Sequence, residues 1–135
     1  MERNKEILKE VSDEIDSALK DPRGIISHQR RIAFSLSLGS VALIENYLHK
    51  LKVLKPGAKI NHLWLKKKKE NTKKLIANQI TSPIENIEKI DSMLDKTQLL
   101  EKERNELAYG KPVSEDILKE KINLFLELKR EVEDD

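Results

Sequence analysis

The chain has 135 residues, with 26 Lys and Arg against 24 Asp and Glu, a formal net charge of +2 and no cysteine. That length fits one domain with a single core, the near balance of charge does not by itself call for a nucleic-acid partner, and the missing cysteines exclude disulfides, zinc-thiolate sites and thiol nucleophiles together. Charged residues make up 37% and aromatics only 4%, so the core must come from Leu, Ile, Val and Ala, as in a helical bundle, and the wealth of Lys, Glu and Ile resembles proteins from hot environments.

Ile7, Leu8, Val11, Ile15, Ala18 and Leu19 recur at helical spacing with charges between them. They predict a first helix with one apolar stripe, ended by Asp21-Pro22-Arg23-Gly24. A second helix is expected from about Ser27 to about Lys52, roughly 25 residues and on the order of 37 Å. From Ile32 to Leu48 its only charge is Glu45, and apolar residues occupy more than one face, as in a helix packed on several sides. Gly39 costs about 1 kcal/mol of helix propensity against alanine. Either close packing against a neighbour or a second subunit offsets that cost, or the helix simply tolerates it.

Lys55-Pro56-Gly57 makes a turn, and Ile60, Leu63, Trp64 and Leu65 open a third apolar patch. Lys66 to Lys69 interrupt it before Leu75, Ile76 and Ile80 resume the pattern. This stretch is one helix with an exposed middle or two short helices with a loop, and a helix of uncertain continuity is preferred. Ser82-Pro83-Ile84-Glu85 reads as a capping box that starts a helix. Its stripe of Ile84, Ile87, Ile90, Leu94, Leu99, Leu100 and Leu107 runs to Gly110, with a bend around Asp95 to Thr97. Ser114 caps the last helix, Glu115 and Asp116 fill its first turn, Ile117, Ile122, Phe125 and Leu128 line it, and Glu131 to Asp135 should fray. The expected fold class is all-α, an up-and-down bundle of four main helices plus a short extra helix, in a single domain over 1–135.

Met1 to Lys20 lacks the apolar block of a secretory signal, so the mature protein is expected to start at Met1. The most apolar run, Ile32 to Ile44, holds three serines and a glycine and is shorter than the roughly 20 residues of a membrane span. A cytoplasmic location and no membrane partner are expected.

Toward the chain's end LLEKERNELAYGKP, Leu99 to Pro112, carries Arg104 and Asn105, then Tyr109 five residues after the arginine, then Gly110 and Pro112 as a stop. Arg104 is expected in the last turn or two of the long helix and Tyr109 at its exit, both at the mouth of one groove. RNELAY followed by one closing helix resembles the signature of the HEPN superfamily, whose ribonuclease members carry Arg, four to six other residues and His, often with Asn straight after the Arg. The order of elements is similar too: the central helix SLSLGSVALIENYLHKL, a glycine turn and an early histidine in KPGAKINHLWL, the motif, and a final helix.

The resemblance implies a symmetric homodimer, a groove for RNA or nucleotide, and a possible pairing with a minimal nucleotidyltransferase as toxin and antitoxin. No cofactor is implied. In the ribonuclease members the arginine polarises the scissile phosphate and the histidine exchanges protons, without metal. Here Tyr109 stands in the histidine's place. A phenol with an ordinary pKa of about 10 is rarely a base at neutral pH, although it donates hydrogen bonds and stacks on bases. Binding through Arg104, Asn105 and Tyr109 is therefore expected, and robust turnover is not.

A plainer arrangement stays open, with Arg104 paired to a carboxylate and Tyr109 capping the bundle. Glu45 joins the candidates because the lone charge of the central helix either faces the groove beside Arg104 or lies on a solvent edge. His28, His49 and His62 are too scattered for a metal set. His62 reads as a surface or helix-start residue, and Trp64 as core or interface. Lys66 to Lys69, with Lys73 and Lys74, are either a phosphate-neutralising stretch or a solvated face. No phosphate loop, nucleophile elbow or helix-turn-helix is present. The alternative function is a non-catalytic helical protein-protein interaction module.

Overall fold

The computed structural model describes residues 2–133, and 76% of these described residues are helical. The α-helices are α1 Glu2–Lys20, α2 Gln29–Lys50, α3 Lys69–Ala77, α4 Ile90–Lys102, α5 Arg104–Tyr109 and α6 Glu115–Glu133. Short 3₁₀ helices lie at Ile25–His28, His62–Lys66 and Ile84–Asn86. The expected all-α bundle forms, with α1, α2, α4 and α6 as its long members and α1, α4, α5 and α6 all packed on α2. Among the described residues there is no strand, only an isolated antiparallel bridge between Leu54 and Ile80, and no helix is long and apolar enough to cross a membrane.

The burial pattern explains why α2 is central. Ile32, Leu36, Leu43, Ile44 and Leu48 are all inside, and Leu38 is the one large apolar side chain of α2 that is exposed. A Cβ on Gly39 would stand 2.7 Å from the Phe125 ring, so the glycine is what lets α2 and α6 close. The neighbour that justifies it belongs to the same chain. The apolar surplus that suggested a second subunit is covered by the protein's own helices.

α1 buries Leu8, Val11, Ile15 and Ala18 on its stripe, while Leu19 is exposed. On α6 the buried line is Leu118, Ile122, Phe125, Leu128 and Val132, so Ile117, expected inside, is exposed instead. Ser114 does cap this helix, accepting from Ile117 N at 3.3 Å. The expected fraying does not reach Glu131, whose carboxylate accepts from Lys96 Nζ at 2.6 Å and from Ser92 Oγ at 2.7 Å. Asp134 and Asp135 lie outside the described residues.

The middle of the chain departs most from the sequence pattern. Instead of one helix after the glycine turn there are two short elements, the 3₁₀ helix His62–Lys66 and α3, with Lys67 and Lys68 extended or nearly so between them. The Ser82 capping box does not start an α-helix. Pro83 enters a single 3₁₀ turn without a side-chain cap, Ile87 is extended, and α4 begins only at Ile90. Ile84, Ile87 and Ile90 recur every third residue, a spacing that stays on one side of a 3₁₀ turn but drifts around an α-helix, and all three are buried. The bend expected at Asp95 to Thr97 falls instead at Glu103, where φ −111° and ψ 12° separate α4 from α5.

A polar cluster fixes the turn from α1 to α2. Buried His28 places Nδ1 2.9 Å from Glu14 Oε2 and Nε2 2.7 Å from Asp21 Oδ2. Arg31 Nε donates to Glu14 at 2.8 Å, and Arg23 Nη2 to Asp21 at 2.8 Å. Arg23, through its side chain and its backbone N–H, and then His28 hold the Asp21 carboxyl well below the usual carboxylate range.

Candidate nucleic-acid interface

α5 has six residues, too few to be stable alone, and side chains from the start of α2 hold it in place. A helix end leaves its last carbonyls without intrahelical donors. Gln29 Nε2 donates to Leu107 O at 3.0 Å and to Lys111 O at 3.1 Å, while Gln29 Oε1 accepts from Val113 N at 2.9 Å. Arg30 Nε donates to Ala108 O at 3.0 Å. Leu107 and Ala108 bury against Ala33, with Phe34 packed alongside. At Gly110 a Cβ would meet Glu106 O at 2.4 Å, so only glycine closes the helix this tightly.

Arg104 therefore opens α5 rather than closing a long helix. Its guanidinium carbon lies 4.9 Å from the Phe34 ring centroid, a cation-π contact, and Nη1 donates to Asn105 Oδ1 at 3.1 Å. Tyr109 meets the same Phe34 ring edge-on, centroids 5.8 Å apart, and is 69% exposed. Phe34 thus brings together the two motif residues that the sequence singled out. Among the described residues no carboxylate pairs with Arg104, so the plainer ion-pair arrangement is not what forms.

Asn105 also lines a cleft of about 410 Å³, with Lys66, Lys67, Gln98, Glu101 and Lys102. Lys66, Lys67 and Lys102 have no acidic partner among the described residues. Two other lysines of the run behave differently. Lys69 bonds Asp95 at 3.1 Å and Lys73 bonds Asp91 at 3.0 Å; Asp95 raises the Lys69 pKa, and Lys73 lowers that of Asp91. Two of the six lysines are thus neutralised, and Lys66 and Lys67, which line the cleft with Asn105, are not. Gln98 Nε2 donates to Lys67 O at 2.7 Å and anchors that pair.

Glu101, 2% exposed, accepts a hydrogen bond from the Ser37 hydroxyl through Oε1, whereas its Oε2 has no partner in the chain. Arg104 Nε is likewise buried and unpaired.

Glu45 does not belong to this site. It is buried rather than on a solvent edge, its Oε1 accepts from Asn4 Nδ2 at 3.0 Å, and its Oε2 accepts from Ile60 N at 2.7 Å. It follows Phe34 by eleven residues on α2, about 16 Å along the axis, and faces another cleft. Among the described residues no group of His, Asp and Glu is placed to hold a metal ion. The sequence pattern missed Gln29, Arg30, Phe34, Ser37, Glu101 and Lys102. Only Phe34, one of two phenylalanines, carried a signal by type. Compared with protein-family models, curated proteins and solved structures, the chain matches none.

Proposed function

We propose that the protein is a HEPN-like domain that binds single-stranded RNA across α5 and the adjoining basic cleft, without robust ribonuclease turnover. What carries this reading is convergence. Lys66 and Lys67 come from one part of the chain, Lys102 and Asn105 from another, and they line one cleft; Asn105 also bonds Arg104, which shares the Phe34 ring with the exposed Tyr109. Free lysines neutralise phosphates, the planar guanidinium suits a phosphate's oxygens, and an exposed tyrosine stacks on a base. A symmetric homodimer that brings two such surfaces together around Phe34 and Tyr109 is part of the proposal. Pairing with a minimal nucleotidyltransferase rests on the family resemblance alone.

Fluorescence anisotropy of a labelled RNA oligonucleotide tests the proposal. With about four phosphates neutralised, affinity should fall roughly 50-fold between about 50 and 200 mM salt. Arg104→Ala should cost about tenfold in affinity with an unchanged melting curve. Tyr109→His, which supplies a proton carrier, should raise cleavage above the wild-type baseline. Light scattering should give twice 15.6 kDa. Absence of RNA binding by the wild-type protein would sink the proposal and leave the interaction module in its place.

A further inference from the structure

A second cleft, of about 1050 Å³, opens between α1, α2 and the connection after α2, and shares no lining residue with the basic cleft beside Asn105. Its apolar walls include Ile7, Val41, Leu54, Ile60, Leu38 and Trp64. Leu38 is 57% exposed and Trp64, the chain's one tryptophan, is half-buried. Apolar surface therefore faces solvent inside a concavity of a size that takes a small molecule.

The charges of this cleft fall in two zones. Arg3, His49, Lys55, Lys59 and His62 line it without an acidic partner among the described residues, Lys55 Nζ donating instead to Asn78 O at 3.0 Å, and all but His62 are exposed. Glu45, the one carboxylate among the lining residues, is 8% exposed and already accepts from Asn4 and Ile60. A cationic ligand would meet Arg3 and Lys59 as it entered, and a ligand carrying its anion deep would be repelled by Glu45. The complementary molecule has an apolar body and a single anionic head that stays outside.

We propose that this cleft binds a free medium- or long-chain fatty acid, its alkyl chain against Ile7, Leu38, Val41 and Trp64 and its carboxylate held by Arg3 and Lys59. The assignment goes beyond RNA binding, and its failure would leave the Arg104 surface untouched.

Trp64 fluorescence reads the test directly, because no other tryptophan contributes. Dodecanoate, titrated into the full chain below its micelle-forming concentration, should give a saturable blue shift at one equivalent. Dodecanol should bind at least about tenfold more weakly, and dodecylammonium should give no saturable shift. The double substitution Arg3→Glu with Lys59→Glu should weaken dodecanoate by at least about tenfold at unchanged helix content. Ala58→Phe should block the cleft sterically and reduce binding in the same assay. Equal responses to the three amphiphiles, or undiminished binding by the folded double variant, would overturn the proposal. So would a shift with anionic phospholipid vesicles or an acidic amphipathic peptide when dodecanoate gives none.

Discussion

Two polar clusters lie against α2 at helix junctions, and they are built on opposite terms. Where α1 hands over to α2, His28 sits between Glu14 and Asp21, each carboxylate also holds an arginine, and no buried side-chain polar atom of the cluster lacks a partner. Where α4 gives way to α5, Glu101 Oε2 and Arg104 Nε are both buried without one. Folded proteins rarely leave such atoms unpaired, and each costs about 1–3 kcal/mol. The first cluster is complete and serves stability. The second holds unspent hydrogen-bonding capacity beside three free lysines, which is where recognition of something outside the chain is to be sought.

The largest test of that contrast is His28→Ala. It removes the strut between Glu14 and Asp21, and denaturant unfolding should show a loss of about 2–3 kcal/mol with RNA affinity of the folded protein unchanged. Glu101→Gln should have the opposite sign. The amide keeps an acceptor for Ser37 and removes a buried charge, so stability should hold or rise by up to about 1 kcal/mol, while RNA affinity should rise a few-fold as the basic cleft loses its anion. A loss above about 2 kcal/mol would mean that Glu101 is as structural as His28.

The smallest effect is acid sensitivity. Asp21 ionises well below its ordinary value of 3.8, chiefly through Arg23 and then His28. A carboxyl depressed in the folded state contributes stability that is fully present above the unfolded value and lost as pH falls through the folded one. Lowering the pH from about 5 to about 3 should therefore destabilise the wild type more than Asp21→Asn. Parallel melting curves for the two would show that the Asp21 contacts contribute nothing in solution. Glu131 also titrates low, its burial opposed and outweighed by Lys96 and Ser92, so the substitution is needed to isolate the Asp21 share.

α1 and α6 were legible in the sequence because each carries an apolar stripe, and α2 because a long run with a single charge is apolar on several faces; both are local properties. The 60–90 region was not, since four lysines and three isoleucines at every third position give conflicting periods. The break at Glu103 left no mark at all: EKERNEL contains neither glycine nor proline, and tertiary contacts to α2 override its helical propensity. The same limit applies to the site. Arg104, Asn105 and Tyr109 stood out by type and spacing, and Lys66 to Lys69 stood out as a run, but nothing local linked the two. Glu45 drew attention by its isolation, and its partners, Asn4 and Ile60, lie 41 and 15 residues away. Gln29 and Arg30 bond mainly to backbone atoms far along the chain, contacts that no side-chain pattern announces.

Gln29 reaches Leu107, Lys111 and Val113 across 78 to 84 residues, and that separation sets an order of events during synthesis. The α1 and α2 segments emerge early and can pair through their own short turn. Gln29 must then wait for most of the remaining chain before its amide finds the carbonyls that it caps, with the entropy of a long loop still to be surrendered. The Arg104 surface is thus among the last features to exist. A nascent chain that has folded its first two helices carries Arg30, Phe34 and the central helix, yet has no assembled Arg104 surface until the ribosome has delivered α5.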